Sequence, residues 1–190
     1  MNELSQEVQL VVLSKALTGR NTRQALEVMP QEVQSETPDL LTIQYGANDS
    51  VYWQSNKGVP IVSKKTFEAN LLEMVERARL FGVRKIFLIT NHKCLKNPLE
   101  PNGKTRNQNL EEYNQIIRNV AAETCCELID IYQILSVHDP ATYVFDMPDG
   151  VHLNENGCFL YSEIIYQYLK DFLFKLENGI HAQDRYSRNR

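Results

Sequence analysis

Four short runs of this chain are apolar at mostly consecutive positions: Val8–Ser14, Leu40–Tyr45, Lys85–Thr90 and Cys126–Ile131. Each is rich in β-branched residues. A strand with one face in water alternates apolar and polar side chains, so an almost unbroken apolar run predicts a strand covered on both faces. Helical patterns lie between the runs. Phe67, Leu71, Met74, Ala78 and Phe81 recur at the three-to-four spacing of one buried helix face, and Tyr113, Ile116, Ile117 and Val120 do the same. Thr22 to Ser35 reads as a further helix, and a long one runs from about Glu155 to Leu176. Strand alternating with helix over the whole length predicts an α/β protein with a parallel sheet.

A chain of 190 residues fits one domain, 1–190, and is long enough to bury a proper core. Neither a repeat nor an interdomain linker breaks it. From about residue 178 it becomes a polar tail, where Arg185, Arg188 and Arg190 are spaced by polar residues rather than gathered into a binding arm. A net charge of −4 offers no general attraction to nucleic acid or anionic lipid, so no nucleic-acid partner is expected. No apolar run reaches bilayer length. Glu3 and Glu7 precede the apolar stretch Val8–Leu13, where a signal peptide wants positive charge. Cys94, Cys125, Cys126 and Cys158 have no metal-ligand spacing, and the adjacent pair cannot easily bridge to itself. They suit the reduced thiols of a cytoplasmic protein, and neither metal nor cofactor is expected.

Three turns carry residues able to do chemistry. In Gly46-Ala47-Asn48-Asp49-Ser50, a strand-to-helix turn wants just such residues for positive φ and for capping, but Asn48 could also donate its amide to an oxyanion. Asp149-Gly150-Val151-His152 reads as the turn into the last helix, with Asn154 as its N-cap. It also reads as a carboxylate orienting an imidazole for proton transfer. Leu17-Thr18-Gly19-Arg20-Asn21-Thr22-Arg23 is a routine turn with Asn21 or Thr22 capping, or an anion site made by backbone N–H groups. A metal held by Asp149 and His152 lacks further ligands nearby in sequence. The long connections Val51–Ser63 and Cys94–Gln108 follow strand C-terminal ends, where open α/β sheets bind ligands. Tyr52, Trp53, His92 and Lys93 there are candidate pocket walls or plain core caps.

Taken in order, the Gly-Arg-Asn-Thr-Arg turn, Gly-Ala-Asn-Asp-Ser and Asp-x-x-His-Leu resemble the second, third and fifth sequence blocks of the SGNH (GDSL-type) hydrolases, from about Val8 to Leu173. Their flavour is similar to the isoamyl-acetate-hydrolysing esterase subgroup. The resemblance implies a three-layer α/β/α sandwich with a flavodoxin-like parallel sheet. It also implies an esterase acting on small-molecule esters through a Ser-His-Asp triad. On matching positions, Asp149 and His152 are the triad's acid and base, while the Gly19 N–H and the Asn48 amide form the oxyanion hole. Arg20, Arg23, Trp53 and His92 are candidates for the substrate pocket.

One block is missing. No Gly-Asp-Ser occurs in these residues, and no Gly-x-Ser-x-Gly elbow replaces it. Ser14 has no Gly-Asp before it, and Ser50 belongs to the third block. In the family the serine follows a first strand lying between those that match Val8–Ser14 and Leu40–Tyr45. The expectation is therefore a fold lacking its first strand and helix, with the nucleophile upstream of Met1. The competing expectation is an inactive remnant that binds a partner. The remnant would have its sheet repaired by direct pairing or a partner strand, whereas an exposed mid-sheet edge would make this chain prone to self-association.

Overall fold

The computed structural model describes residues 10–147 and 149–177. In chain order the principal elements are α1 (Thr22–Met29), β1 (Leu40–Ile43), α2 (Lys64–Leu80), β2 (Lys85–Ile89), α3 (Arg106–Thr124), β3 (Glu127–Ile129), the short α4 (Ile131–Ile134) and α5 (Glu155–Glu177). The three strands form a parallel sheet in the order β1-β2-β3. Leu40 lies opposite Lys85, and Phe87 opposite Glu127.

The consecutive apolar residues of β2 divide between two layers, as the alternation of a strand requires. Ile86 and Leu88 enter a core built with Ala25, Phe67, Leu71, Met74, Tyr113, Ile117 and Val120 from α1, α2 and α3. Phe87 and Ile89 enter a second core with Ile129, Ile131, Tyr143, Val144 and Tyr161, the last from α5. Helices thus cover both faces, which is the expected α/β/α arrangement. The second layer thins toward β1: Thr42 and Gln44 on that side are exposed.

Helix ends follow local chemistry. Asn21 caps α1 by accepting from the N–H groups of Arg23 and Gln24, while the Gln24 side chain accepts from the Asn21 N–H, a reciprocal capping box. The predicted helix from Thr22 to Ser35 is continuous to Gln34 but changes pitch at Pro30. The wider turn there closes with Ser35 N donating to Pro30 O at 3.0 Å. Thr105 caps α3 in the same reciprocal way as Asn21.

Two expectations need correction. Residues 10–14 of the predicted strand Val8–Ser14 are not in a strand; they pair with nothing among the described residues, and Leu10, Val11, Val12 and Leu13 are exposed. An isolated apolar run has no ladder of backbone hydrogen bonds to hold it extended, however strong its pattern. Val8 and Gln9 lie outside the described residues, as does the tail from 178. The predicted strand Cys126–Ile131 is shorter, because Asp130 accepts from the Gln133 N–H at 3.2 Å and starts α4.

Candidate active site

The turn after β1 closes around a buried carboxylate. Asp49 Oδ1 accepts from the Thr22 N–H at 2.9 Å and from the Thr22 hydroxyl at 2.5 Å, and Oδ2 accepts from the Gly46 N–H at 3.1 Å. Asn70 on α2 donates to the same Thr22 hydroxyl at 2.8 Å. Burial pushes the Asp49 pKa above the usual carboxylate range, and these hydrogen bonds oppose the rise. Gly46 has φ +118°, and a side chain there would place Cβ 2.9 Å from Asn91 Nδ2, so the turn needs glycine. Ser50 is buried and donates to Ala47 O, which leaves it no route to a substrate.

Pinned in this way, the turn presents Asn48 toward the α1 turn. Asn48 Nδ2 donates to Arg20 O at 3.0 Å, which joins the Asn48 amide to the Gly19-Arg20 backbone. Gly19 has φ +81° and open space beside it. The two residues expected to supply oxyanion donors are therefore neighbours, although 28 positions separate Asn48 from Arg20 in the chain. Arg20 itself makes a two-pronged ion pair with Glu32, at 2.5 and 3.0 Å. That hydrogen bond raises the arginine's pKa and lowers that of Glu32. Its guanidinium is spent on Glu32, in the wider turn that follows α1, while Arg23 is exposed.

The second group lies on the loop before α5. Asp149 Oδ1 accepts from the N–H groups of Val151 at 2.8 Å and His152 at 3.1 Å, and Oδ2 is hydrogen-bonded to His152 Nδ1. Partial desolvation pushes the carboxyl up, but the two N–H groups and the ring outweigh it and hold its pKa down to about 2. His152 is exposed, and its Nε2 has no protein partner among the described residues. Asn154 caps α5 by accepting from the Gly157 N–H at 2.8 Å. The capping reading and the proton-transfer reading of this motif are thus compatible, since different residues serve each.

Both groups hang from the segment after β2. Asn91 Nδ2 donates to Tyr45 O at 2.8 Å, and Arg106 Nη2 donates to Ala47 O at 2.6 Å, on the Asn48 side. Leu95 N donates to Gly150 O at 2.8 Å on the other side. His92 is not an open pocket wall: it lies between Tyr161 and the Val151 carbonyl. Lys93 sits over the Tyr132 ring, 5.3 Å from its centroid. Trp53 is 58% exposed on a loop that closes on itself, with Tyr52 bridged to Pro60. Pattern reading missed Arg106, Asn91 and Asn114, whose side chain accepts from the Asn91 N–H at 2.8 Å. The available signal was an asparagine, Asn114, beside Tyr113 on the apolar stripe of α3.

A parallel sheet between helices is the fold of the SGNH class of hydrolases. The fold agrees with solved members. A lipase/acylhydrolase from Enterococcus faecalis superposes with a TM-score of 0.65 at 25% identity, covering 80% of this chain and 72% of that one. An acetylxylan esterase from Geobacillus stearothermophilus, 20% identical, gives 0.62 over 78% of this chain and 67% of its own. In sequence, the isoamyl acetate-hydrolyzing esterase 1 homolog of Rattus norvegicus is 27% identical over 163 residues, 77% of this chain. The chain spans 63% of that relative's length. The profile of the GDSL-like Lipase/Acylhydrolase family matches residues 2–158, and the chain belongs to that family.

Proposed function

We propose that this chain carries the acid–base pair and the oxyanion donors of a carboxylic-ester hydrolase that works by a Ser-His-Asp mechanism. The observation that carries the reading is the Asp149–His152 hydrogen bond, with the carboxylate held ionised and the far ring nitrogen open. In that geometry Asp149 fixes the Nδ1–H tautomer, and Nε2 takes the proton of an attacking serine and later gives it to the leaving alcohol. The Asn48 amide has two N–H groups. One is fixed on Arg20 O, which leaves the other, with the N–H of Gly19 next to Arg20 in the chain, to donate to the oxyanion of the tetrahedral intermediate.

The mechanism requires a nucleophilic serine, and no Gly-Asp-Ser occurs in residues 1–190. Ser50, buried and bonded to Ala47 O, is not placed to serve as that nucleophile. The names of the relatives, an isoamyl acetate esterase and an acetylxylan esterase, make acetate esters the first substrates to try. The test is to treat the protein from its native source with a fluorophosphonate and map the labelled peptide. Labelling at a single serine, lost in His152→Ala, is expected. No serine label, or labelling indifferent to His152, overturns the proposal.

A further inference from the structure

Behind the exposed pair lies a half-buried imidazole with both nitrogens occupied. His92 Nε2 is 2.8 Å from Val151 O, and Nδ1 is 2.5 Å from Tyr161 Oη. A carbonyl only accepts, so Nε2 carries the proton, and the bare Nδ1 accepts from the Tyr161 hydroxyl. The rings of Tyr143 and Tyr161 stand edge-on to His92, with centroids 5.9 and 5.4 Å away, and leave it little freedom to turn. Burial lowers the His92 pKa, so the ring stays neutral near pH 7 and this pattern is kept.

We propose that His92 is a positioning residue for the Asp149–His152 pair, tying the Val151 peptide between them to α5 through Tyr161. The proposal rests on the esterase reading above. Val151 donates its N–H to Asp149 and gives its carbonyl to His92, so this one residue transmits the position of the His92 ring to the carboxylate. The bonds from Leu95 and Lys96 to Gly150 O fix the start of the loop and leave its second half to His92 and to Phe145 N, which donates to His152 O at 2.9 Å. Losing the His92 donor leaves a half-buried carbonyl unpaired beside the pair. The loop then relaxes toward water, and the His152 ring loses its fixed alignment on Asp149.

The experiment is long-range proton–nitrogen NMR of histidine-labelled full-length protein, which reads the tautomer of His152 directly. The parent is expected to show Nδ1–H alone. In His92→Phe, with folding checked by its urea midpoint, His152 is expected to shift to the mixed tautomers of a free imidazole. His92→Gln, whose amide can donate to Val151 O and accept from Tyr161, is expected to restore the single tautomer. An unchanged tautomer in folded His92→Phe overturns the proposal. Should that variant not fold, Tyr161→Phe decides: a shift supports the tether and an unchanged spectrum rejects it. Mixed tautomers already in the parent would instead remove the acid–base pair, and with it the esterase reading.

Discussion

The Gly46–Ser50 turn and the Asp149–His152 loop are both fastened to the segment after β2, and they are built in opposite ways. The first is organised from within: a buried carboxylate gathers donors from Thr22 and Gly46, and the useful amide of Asn48 is left half-buried at its rim. The second is organised at the surface: its carboxylate binds its own loop's N–H groups, and the useful ring is exposed. The difference follows the work proposed for each. A donor to an oxyanion gains from rigidity, because a preset dipole needs no reorganisation as charge develops. A base that takes and returns a proton must reach its partners, so only its orientation is fixed, from one side.

This contrast predicts which changes damage chemistry and which damage the fold. The largest effect belongs to His152→Ala. Ester hydrolysis by the active protein is expected to fall by about 10⁴-fold or more, with the urea midpoint nearly unmoved because the side chain is exposed. Next is Asn48→Ala, expected to cost roughly 10²–10³ in kcat with little change in KM. An effect confined to KM would show that Asn48 binds ground state rather than intermediate. Asp49→Ala should do the reverse of His152→Ala. It orphans the Thr22 and Gly46 donors and is expected to destabilise by about 3 kcal/mol in urea unfolding. A variant as stable as the parent would mean that the turn is not organised by its buried carboxylate. Asn21→Ala removes the α1 cap and is expected to cost about 1 kcal/mol.

The smallest and sharpest test is pH, because the two carboxylates have opposite signs. Asp149, held down to about 2 by its hydrogen bonds, contributes stability that is complete above its unfolded value of about 3.9 and is lost as pH falls toward 2. Asp49, raised by burial, contributes stability that is complete below its unfolded value and is lost as pH rises through its folded one. Carboxyl carbon NMR titrations should therefore place the Asp49 midpoint above the ordinary value and that of Asp149 below it. Coincident midpoints would erase the comparison.

Much of this was legible in the residues. The apolar run at Lys85 and the helical stripes at Phe67 and Tyr113 state their own burial, because period and composition are local properties, whereas the run at Leu40, read as covered on both faces, leaves Thr42 and Gln44 exposed. The three site motifs were visible for the same reason, and so was their order. The run Val8–Ser14 shows the limit: its apolar pattern predicts a strand, but its described residues 10–14 form none, because a strand exists only where a neighbour completes its ladder. His92 shows another limit. It was read as a pocket wall, and the tertiary structure puts both its nitrogens to work inside the molecule.

The sequence by itself determined the α/β alternation, the Asn48 and Asp149–His152 motifs and the missing Gly-Asp-Ser, since each is written in adjacent residues. Only the tertiary structure decided that Asn48 meets Arg20, that Arg106 supports Ala47 and that His92 backs Val151. Those partners lie 28, 59 and 59 positions apart, and hydrogen bonds at such separations exist only once the core has closed the loops between them.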